Sequence, residues 1–495
     1  MSRASKRFNR ILFHVLIITT FLAACSPAAI GTPTPGAITE PTLTPTLDVT
    51  STPLPVRDVY APGTLVDYIA QDGDSLISVA AHFNTTEEEI RFFNTEIPET
   101  VTTLPAGYPM QIPINYEALW GSPFKIIPNA YFVNGPKQIG FDTAAFVDSQ
   151  PGWLKDYSAQ AGEKVHRGGD LVEYVAWQFS VSPRLLLAIA EYQAGALSDP
   201  QLDEEKQQYP LGFEDNTHAG FYLQLVLLAD QLNIGYYQWQ TGRLGSLELM
   251  DGTIENPDPW QNAATVGIQS YFARVMNSAD YKLATSGDGL SQTYTTYFGD
   301  PWGDGEANIP GSLTQPELRL PFADGNTWAF TGGPHAAWGT NDPLGALDFA
   351  PSSAIGKCAA SEEMVVAVAD GEISRTDTGV IMLDLDSDGD DRTGWVILYL
   401  HVGSTNKARQ GNLVVSGTPI GYPSCEGGSS TGTHIHIARK YNGEWIAADG
   451  AIPFILEGWT PHNGSVPYKG TLTRMGYTIT ASDVASFISL ITAGQ

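Results

Sequence analysis

The sequence predicts a multidomain chain: a small module with two short helical patterns, an α-helical middle domain and a C-terminal antiparallel β-rich domain, behind an N-terminal leader and tether. Three observations predict it. The 495 residues are 42% hydrophobic, enough for two to four domains with real cores. Leu185, Leu186, Ile189 and Tyr192 recur on one helical face. In the last third, His434-Ile435-His436-Ile437 alternates with the period of a strand and turns both imidazoles to one face.

At the N-terminus, Arg3, Lys6, Arg7 and Arg10 precede an apolar stretch over residues 11–22. It is too short to span a bilayer comfortably, and the pattern is that of a signal peptide, so residues 1–24 are expected to be removed. The stretch ends in Leu22-Ala23-Ala24-Cys25, which resembles the bacterial lipobox. That resemblance implies a lipidated Cys25 that anchors the protein to the membrane, extracytoplasmic in a bacterial cell envelope. Residues 25–62, with Thr32-Pro33-Thr34-Pro35 and Thr42-Leu43-Thr44-Pro45-Thr46, cannot bury a core and read as an extended tether.

Residues 66–114 begin with apolar Val66-Asp67-Tyr68-Ile69, turn at Gly73-Asp74-Ser75-Leu76, pass through two short helical patterns and end in Gly107-Tyr108-Pro109-Met110-Gln111-Ile112-Pro113. Thr85 or Thr86 can cap the second helix, with Glu88 or Glu89 completing a capping box. With Val79, Ala80, Phe83, Ile90 and Asn94 at their spacings, the segment resembles a LysM module. The resemblance implies a βααβ fold that binds N-acetylglucosamine-containing glycan, with Gly73, Asp74 and Asn94 as glycan-binding positions.

Residues 125–315 are helical in pattern. Ser182-Pro183 supplies an N-cap and a proline at the first helical position. The stretch 185–195 resembles a segment of lysozyme-like lytic transglycosylases, but Gln193 stands where those enzymes carry the catalytic Glu, and an amide cannot protonate a glycosidic oxygen. Glu191, about 200° around the helix, faces elsewhere. The expectation is a lysozyme-like domain used for glycan binding or spacing.

In residues 320–458, His335 sits in Gly332-Gly333-Pro334-His335, Asp348 in Leu347-Asp348-Phe349, and His401 ends the strand-like run 396–401. His/Asp/His is a suitable set for zinc, which in hydrolases usually takes three protein ligands and keeps one position for water. Gly-Gly-x-His, Leu-Asp-Phe, Tyr-x-His and His-x-His, in this order, resemble the M23 zinc endopeptidases of the lysostaphin, LytM and β-lytic type, which cut peptidoglycan peptides. The resemblance implies one Zn²⁺ held by His335, Asp348 and His436, with His401 and His434 unligated and assisting the chemistry. The commonest M23 pattern has a His four residues before the Asp, where this chain has Leu344. The longer spacing from His335 resembles the β-lytic branch. No His-Glu-x-x-His exists, so a histidine must serve as the base.

Lipid on Cys25 leaves Cys358 and Cys425, which in an oxidising exterior are expected to form one disulfide holding the loop before His434. Asp384, Asp386 and Asp388 match the first half of a calcium loop. The twelfth position is Trp395, so an acidic turn between two strands is the simpler reading and Ca²⁺ is disfavoured. The formal charge of −28 repels phosphates and argues against nucleic acid as a partner. The expected partners are therefore peptidoglycan, its glycan through residues 66–114 and its peptide through the C-terminal domain, and the membrane through the lipid anchor. The expected activity is hydrolysis of stem-peptide or cross-link bonds. The alternative is a non-catalytic peptidoglycan-binding regulator or scaffold. Residues 459–495 carry no recognisable signal and are set apart as an extension of unknown role.

Overall fold

β1 (Thr64–Ile69) pairs antiparallel with β2 (Pro109–Ile114) around α1 (Leu76–His82) and α2 (Glu87–Phe93), giving the βααβ order expected for residues 66–114. The structure is a computed structural model and describes residues 59–115, 120–303, 305, 307–351, 358–484 and 486–495. The leader, Cys25 and nearly all of the 25–62 tether lie outside the described residues. Ser75 caps α1 in a reciprocal box with Ser78, and Thr86 caps α2 by accepting from the Glu89 N–H at 3.1 Å. Each cap satisfies amide groups that the first helical turn leaves without partners.

The three positions expected to bind glycan make the following contacts within the fold. The Asp74 carboxylate accepts from the Tyr68 hydroxyl at 2.6 Å and the Gln71 N–H at 2.7 Å. Asn94 is buried, and its amide bridges the Ile90 and Gln111 backbones, each at 2.7 Å. A Cβ on Gly73 would stand 2.3 Å from the Gln240 amide of the helical domain. Beside Gly73 the module also docks against the rest of the chain. Asp72 accepts the Asn308 and Ile309 N–H groups at 2.9 and 2.8 Å, and the Thr102 and Thr103 hydroxyls donate to the Leu313 and Pro310 carbonyls at 2.6 and 2.8 Å. The loops of the module thus hold the chain's own 308–313 segment.

The helical domain contains α3 (Thr143–Asp148), the hairpin β3 (Ser158–Ala161) and β4 (Lys164–Arg167), α4 (Gly168–Phe179), α5 (Pro183–Ala194) and α6 (Phe221–Gln240). A two-residue hairpin follows, β5 (Leu247–Glu248) and β6 (Ile254–Glu255), then α7 (Ala263–Val275), α8 (Ser278–Ala284) and α9 (Leu290–Phe298). The start of α5 is the one read from sequence: Ser182 accepts from the Leu185 N–H at 3.2 Å, and Pro183 occupies the first turn.

The C-terminal domain is built on a nine-stranded antiparallel sheet. Its strands are β7 (Thr327–Ala336), β8 (Leu344–Pro351) and, after the short β9 (Val365–Val366), β10 (Gly371–Asp377), β11 (Val380–Asp384), β12 (Trp395–Leu400) and β13 (Leu413–Val414). Then come β14 (Pro419–Gly421), which pairs β9 outside the sheet, β15 (Ile435–Tyr441) and β16 (Glu444–Trp445). β17 (Thr460–Asn463), β18 (Gly470–Arg474) and β19 (Tyr477–Thr480) form a separate three-stranded sheet, and β20 (Leu490–Thr492) returns to pair β7. The order is β13-β10-β11-β12-β15-β8-β7-β20, with β16 beside β15. Within residues 459–495, β20 therefore completes the edge of the same sheet.

Strand alternation sorts the sheet into two faces. Leu347, Phe349, Ile381, Ile397, Tyr399, Ile435 and Ile437 enter a core within the C-terminal domain. Ala346, Val380, Met382, Val396, Leu398 and Ala438 enter a second core shared with the helices, including Phe179, Leu225 and Tyr237. Asp348 and His436 belong by parity to this second face, so the helical domain packs beside the histidine cluster and cannot be a distant bead on a string.

Candidate metal centre

His436 is directly paired with Asp348 across β15 and β8, and Gly332 opposes Asp348 across β8 and β7. The register irregularities in β7 between Phe330 and Ala336 bring His335 to the same spot. Glycine is required at position 332 by space, because a Cβ there would lie 2.4 Å from the Asp348 carboxylate. At Gly333 a Cβ would meet the Lys469 backbone at 2.7 Å. The Gly-Gly before Pro-His is thus the room that lets a ligand carboxylate on one side and a C-terminal loop on the other close in.

Three donor atoms converge: His335 Nε2 and His436 Nδ1 are 3.1 Å apart, His335 Nε2 and Asp348 Oδ1 3.3 Å, and His436 Nδ1 and Asp348 Oδ1 3.5 Å. Metal–ligand bonds of about 2.0–2.2 Å in a tetrahedral shell place neighbouring ligand atoms roughly 3.3–3.5 Å apart. The residues fit zinc on this ground. They fit also because Asp348 Oδ1 is buried with no hydrogen-bond partner, an arrangement that is costly unless a cation faces it.

The ring nitrogens that face the centre are selected by what the other nitrogens do. His335 Nδ1–H donates to the Gly333 carbonyl at 2.8 Å, leaving Nε2 to the centre, whereas His436 Nε2–H donates to the Ala337 carbonyl at 3.1 Å, leaving Nδ1. Such outer contacts orient ligands and choose their tautomer. Burial opposes charge on Asp348, yet His335 and His434 beside it hold its carboxyl well below the usual range. Burial also depresses the His436 pKa, whereas for His335 the adjacent Asp348 outweighs burial and raises it.

His401 and His434 flank the cluster. His434, just before β15, brings Nε2 to 3.7 Å from Asp348 Oδ1, and its ring centroid is 4.5 Å from that of His401. Both donate Nδ1–H to carbonyls, His401 to Glu426 at 2.8 Å and His434 to Gly432 at 2.7 Å. Both therefore keep an Nε2 lone pair for proton exchange. Burial, reinforced by His434, lowers His401 to about 4, so it is neutral at pH 7. Its φ of 68° bends the chain out of β12.

The centre lies in a groove of about 640 Å³ walled by Trp338, the 427–433 loop, Tyr468 and Lys469. The disulfide Cys358–Cys425, with Cα atoms 5.7 Å apart, pins the loop that leads to His434. Tyr468, which sequence reading missed, stacks on His335 at 4.0 Å between centroids. It lies 133 positions from its partner, in the stretch without motif signal, so only the close packing at Gly333 could have pointed to it.

Asp384, Asp386 and Asp388 also draw together, but the Asp384 carboxylate already accepts the Asp386 and Gly389 N–H groups at 3.2 and 2.9 Å, as an acidic turn does. In α5, Gln193 donates to the Tyr271 hydroxyl at 2.8 Å. The Glu191 carboxylate accepts from the Leu197 and Ser198 N–H groups and from the Ser198 and Tyr297 hydroxyls, so it closes the helix end. Neither is placed to act as a free acid.

Comparison with known proteins adds the following. Residues 125–311 match the family model described as LasA, N-terminal domain. Over 341 residues the chain is 25% identical to Protease LasA of Pseudomonas aeruginosa, spanning 65% of this chain and 74% of that protein. Among solved structures, the M23 metalloprotease pseudoalterin from the deep sea is 22% identical, with 34% of this chain and 96% of that chain covered and a TM-score of 0.29. A zinc-containing peptidase from Vibrio cholerae is 19% identical over 30% and 42% of the chains, with a TM-score of 0.21. The similarity to a protease and the His-Asp-His group, which could hold a metal ion, are consistent with a metal-dependent peptidase. No helix among the described residues is long and apolar enough to cross a membrane.

Proposed function

We propose that this chain is a zinc endopeptidase that hydrolyses peptide bonds in peptidoglycan stem peptides or cross-links, held in the bacterial envelope through a lipid on Cys25. The observation that carries the reading is the convergence of His335, Asp348 and His436 at 3.1–3.5 Å in a groove flanked by two further histidines. Zinc bound by these three would activate water at neutral pH and polarise the scissile carbonyl. The chain supplies the rest. Gly333 and Ala337 carbonyls orient the ligand rings. His401 and His434, each with Nε2 available, take a proton from the attacking water and return one to the leaving amine or support the developing oxyanion. The glycine-rich 427–432 loop permits an extended peptide to lie close beside them.

The test is mass spectrometry of peptidoglycan digested with the purified soluble protein, beside His436→Ala and a chelator-treated sample. New peptide termini, lost in both controls, are expected. Intact peptides with zinc bound would overturn the enzymatic reading in favour of a wall-binding regulator, and anhydro-sugar ends would move the chemistry to the helical domain.

A further inference from the structure

Resting on the reading of the groove as a peptidase cleft, we propose that its far end is a sugar subsite completed by the helical domain, which takes an N-acetylhexosamine of the glycan strand that bears the peptide. Beyond Trp338 and Gly427-Gly428 the groove continues into a second cavity of about 390 Å³. Its other walls belong to Tyr174 and Gln178 of α4, Tyr222 of α6, Glu163 at the β3–β4 turn, and Asp377 and Thr378 at the β10–β11 turn. The volume sits at the small end of the range of roughly 300–1,000 Å³ for small-molecule clefts.

The lining selects the ligand. Tyr174, Tyr222 and Trp338 are half-buried aromatic rings, which combine an apolar body with a polar tip. Around them stand the Gln178 amide, the Thr378 hydroxyl and the Glu163 and Asp377 carboxylates. A pyranose ring has this same division, apolar across its faces and hydrogen-bonding around its edge. Among the described residues no Lys or Arg lines the cavity, and two carboxylates do, so phosphate and other anions are disfavoured. A peptide bound by strand addition would need an open strand edge to pair with. The cavity is reached instead by helix side chains and hairpin turns.

The wall is also rigid before any ligand arrives. α6 clamps the 338–342 loop: Asp230 accepts the Thr340 N–H at 3.0 Å and its hydroxyl at 2.6 Å, Gln238 donates to Asp342 at 2.9 Å, and Arg243 pairs with Asp342. Trp338 is thereby fixed relative to Tyr222, and preorganised surfaces lose less on binding.

The probe is di-N-acetylchitobiose, titrated calorimetrically into the whole protein, with Tyr222→Phe, Tyr222→Ala and Tyr174→Ala variants. The expected result is binding retained by Tyr222→Phe and weakened at least tenfold by either alanine. In parallel, the alanine variants should raise KM at least tenfold for a stem peptide still attached to its disaccharide, with kcat and the KM for the free peptide unchanged. Chitobiose affinity unaffected by both alanines would place sugar binding elsewhere and overturn the subsite, as would equal KM shifts on the two substrates. Tyrosine-dependent chitobiose binding without any peptide cleavage would keep the subsite and defeat the peptidase reading.

Discussion

Glu444 sits where the βααβ module, the 308–313 segment, α6 and the sheet meet, fully buried, with the Asn308 amide donating to it at 3.3 Å. Burial, then the nearby Asp72, lifts its carboxyl from 4.5 to about 8, and burial lifts Asp72 to about 6. The folded state therefore holds the Glu444 proton more tightly than the unfolded chain does. The associated stability is complete below pH 4.5 and is lost as pH rises through about 8. Each pH unit in which the folded form keeps one extra proton changes stability by about 1.4 kcal/mol, so the window amounts to on the order of 5 kcal/mol. Glu444→Gln imitates the protonated acid and should abolish this component. The assay is urea denaturation at fixed zinc from pH 7.0 to 8.5, where Asp72, at about 6, is mostly ionised. Asp384, lifted to about 7 by burial, titrates in both proteins and cancels in the difference. Wild type should lose stability across this range, and Glu444→Gln should lose distinctly less. An identical decline in both, or a uniform loss in the variant at every pH, would refute the argument.

Three further outcomes are expected. Gly332→Ala, whose Cβ would stand 2.4 Å from the Asp348 carboxylate, should weaken zinc binding at least tenfold in a chelator competition, the scale seen when a ligand's support is disturbed. Trp445→Ala should cost about 3–5 kcal/mol in a denaturation experiment, because the ring is buried between the domains, its indole N–H donates to the Phe179 carbonyl at 3.3 Å, and a large cavity would remain. Reducing Cys358–Cys425, which closes a loop of 67 residues, should lower stability by on the order of 4 kcal/mol from chain entropy. The His434 loop should then become the first site of proteolysis.

Much of the centre was legible because its signals are local. Alternation in His434-Ile435-His436-Ile437 needs only the two-residue strand period to put both rings on one side, and at the start of β15 both rings do face Asp348. Ser182-Pro183 capped α5 for the same kind of reason, since a cap is made within one turn. The contacts of Gly73, Asp74 and Asn94 were not legible, because these residues are identical in sequence whether they face solvent or a neighbouring segment. Asp74 and Asn94 are tied within the module, to Tyr68, Gln71, Ile90 and Gln111, whereas Gly73 is closed in by Gln240, 167 positions away. Tyr468 and residues 459–495 escaped notice likewise, because β20 joins β7 across a gap that no periodicity spans. Residue types, spacing and the family resemblance together nominated the three donors that the fold brings to one place. Tertiary packing alone decided that the helical domain shares a core with the sheet face carrying the ligands. Apolar periodicity shows that a face is buried, but the identity of its partner depends on how distant segments of the chain meet.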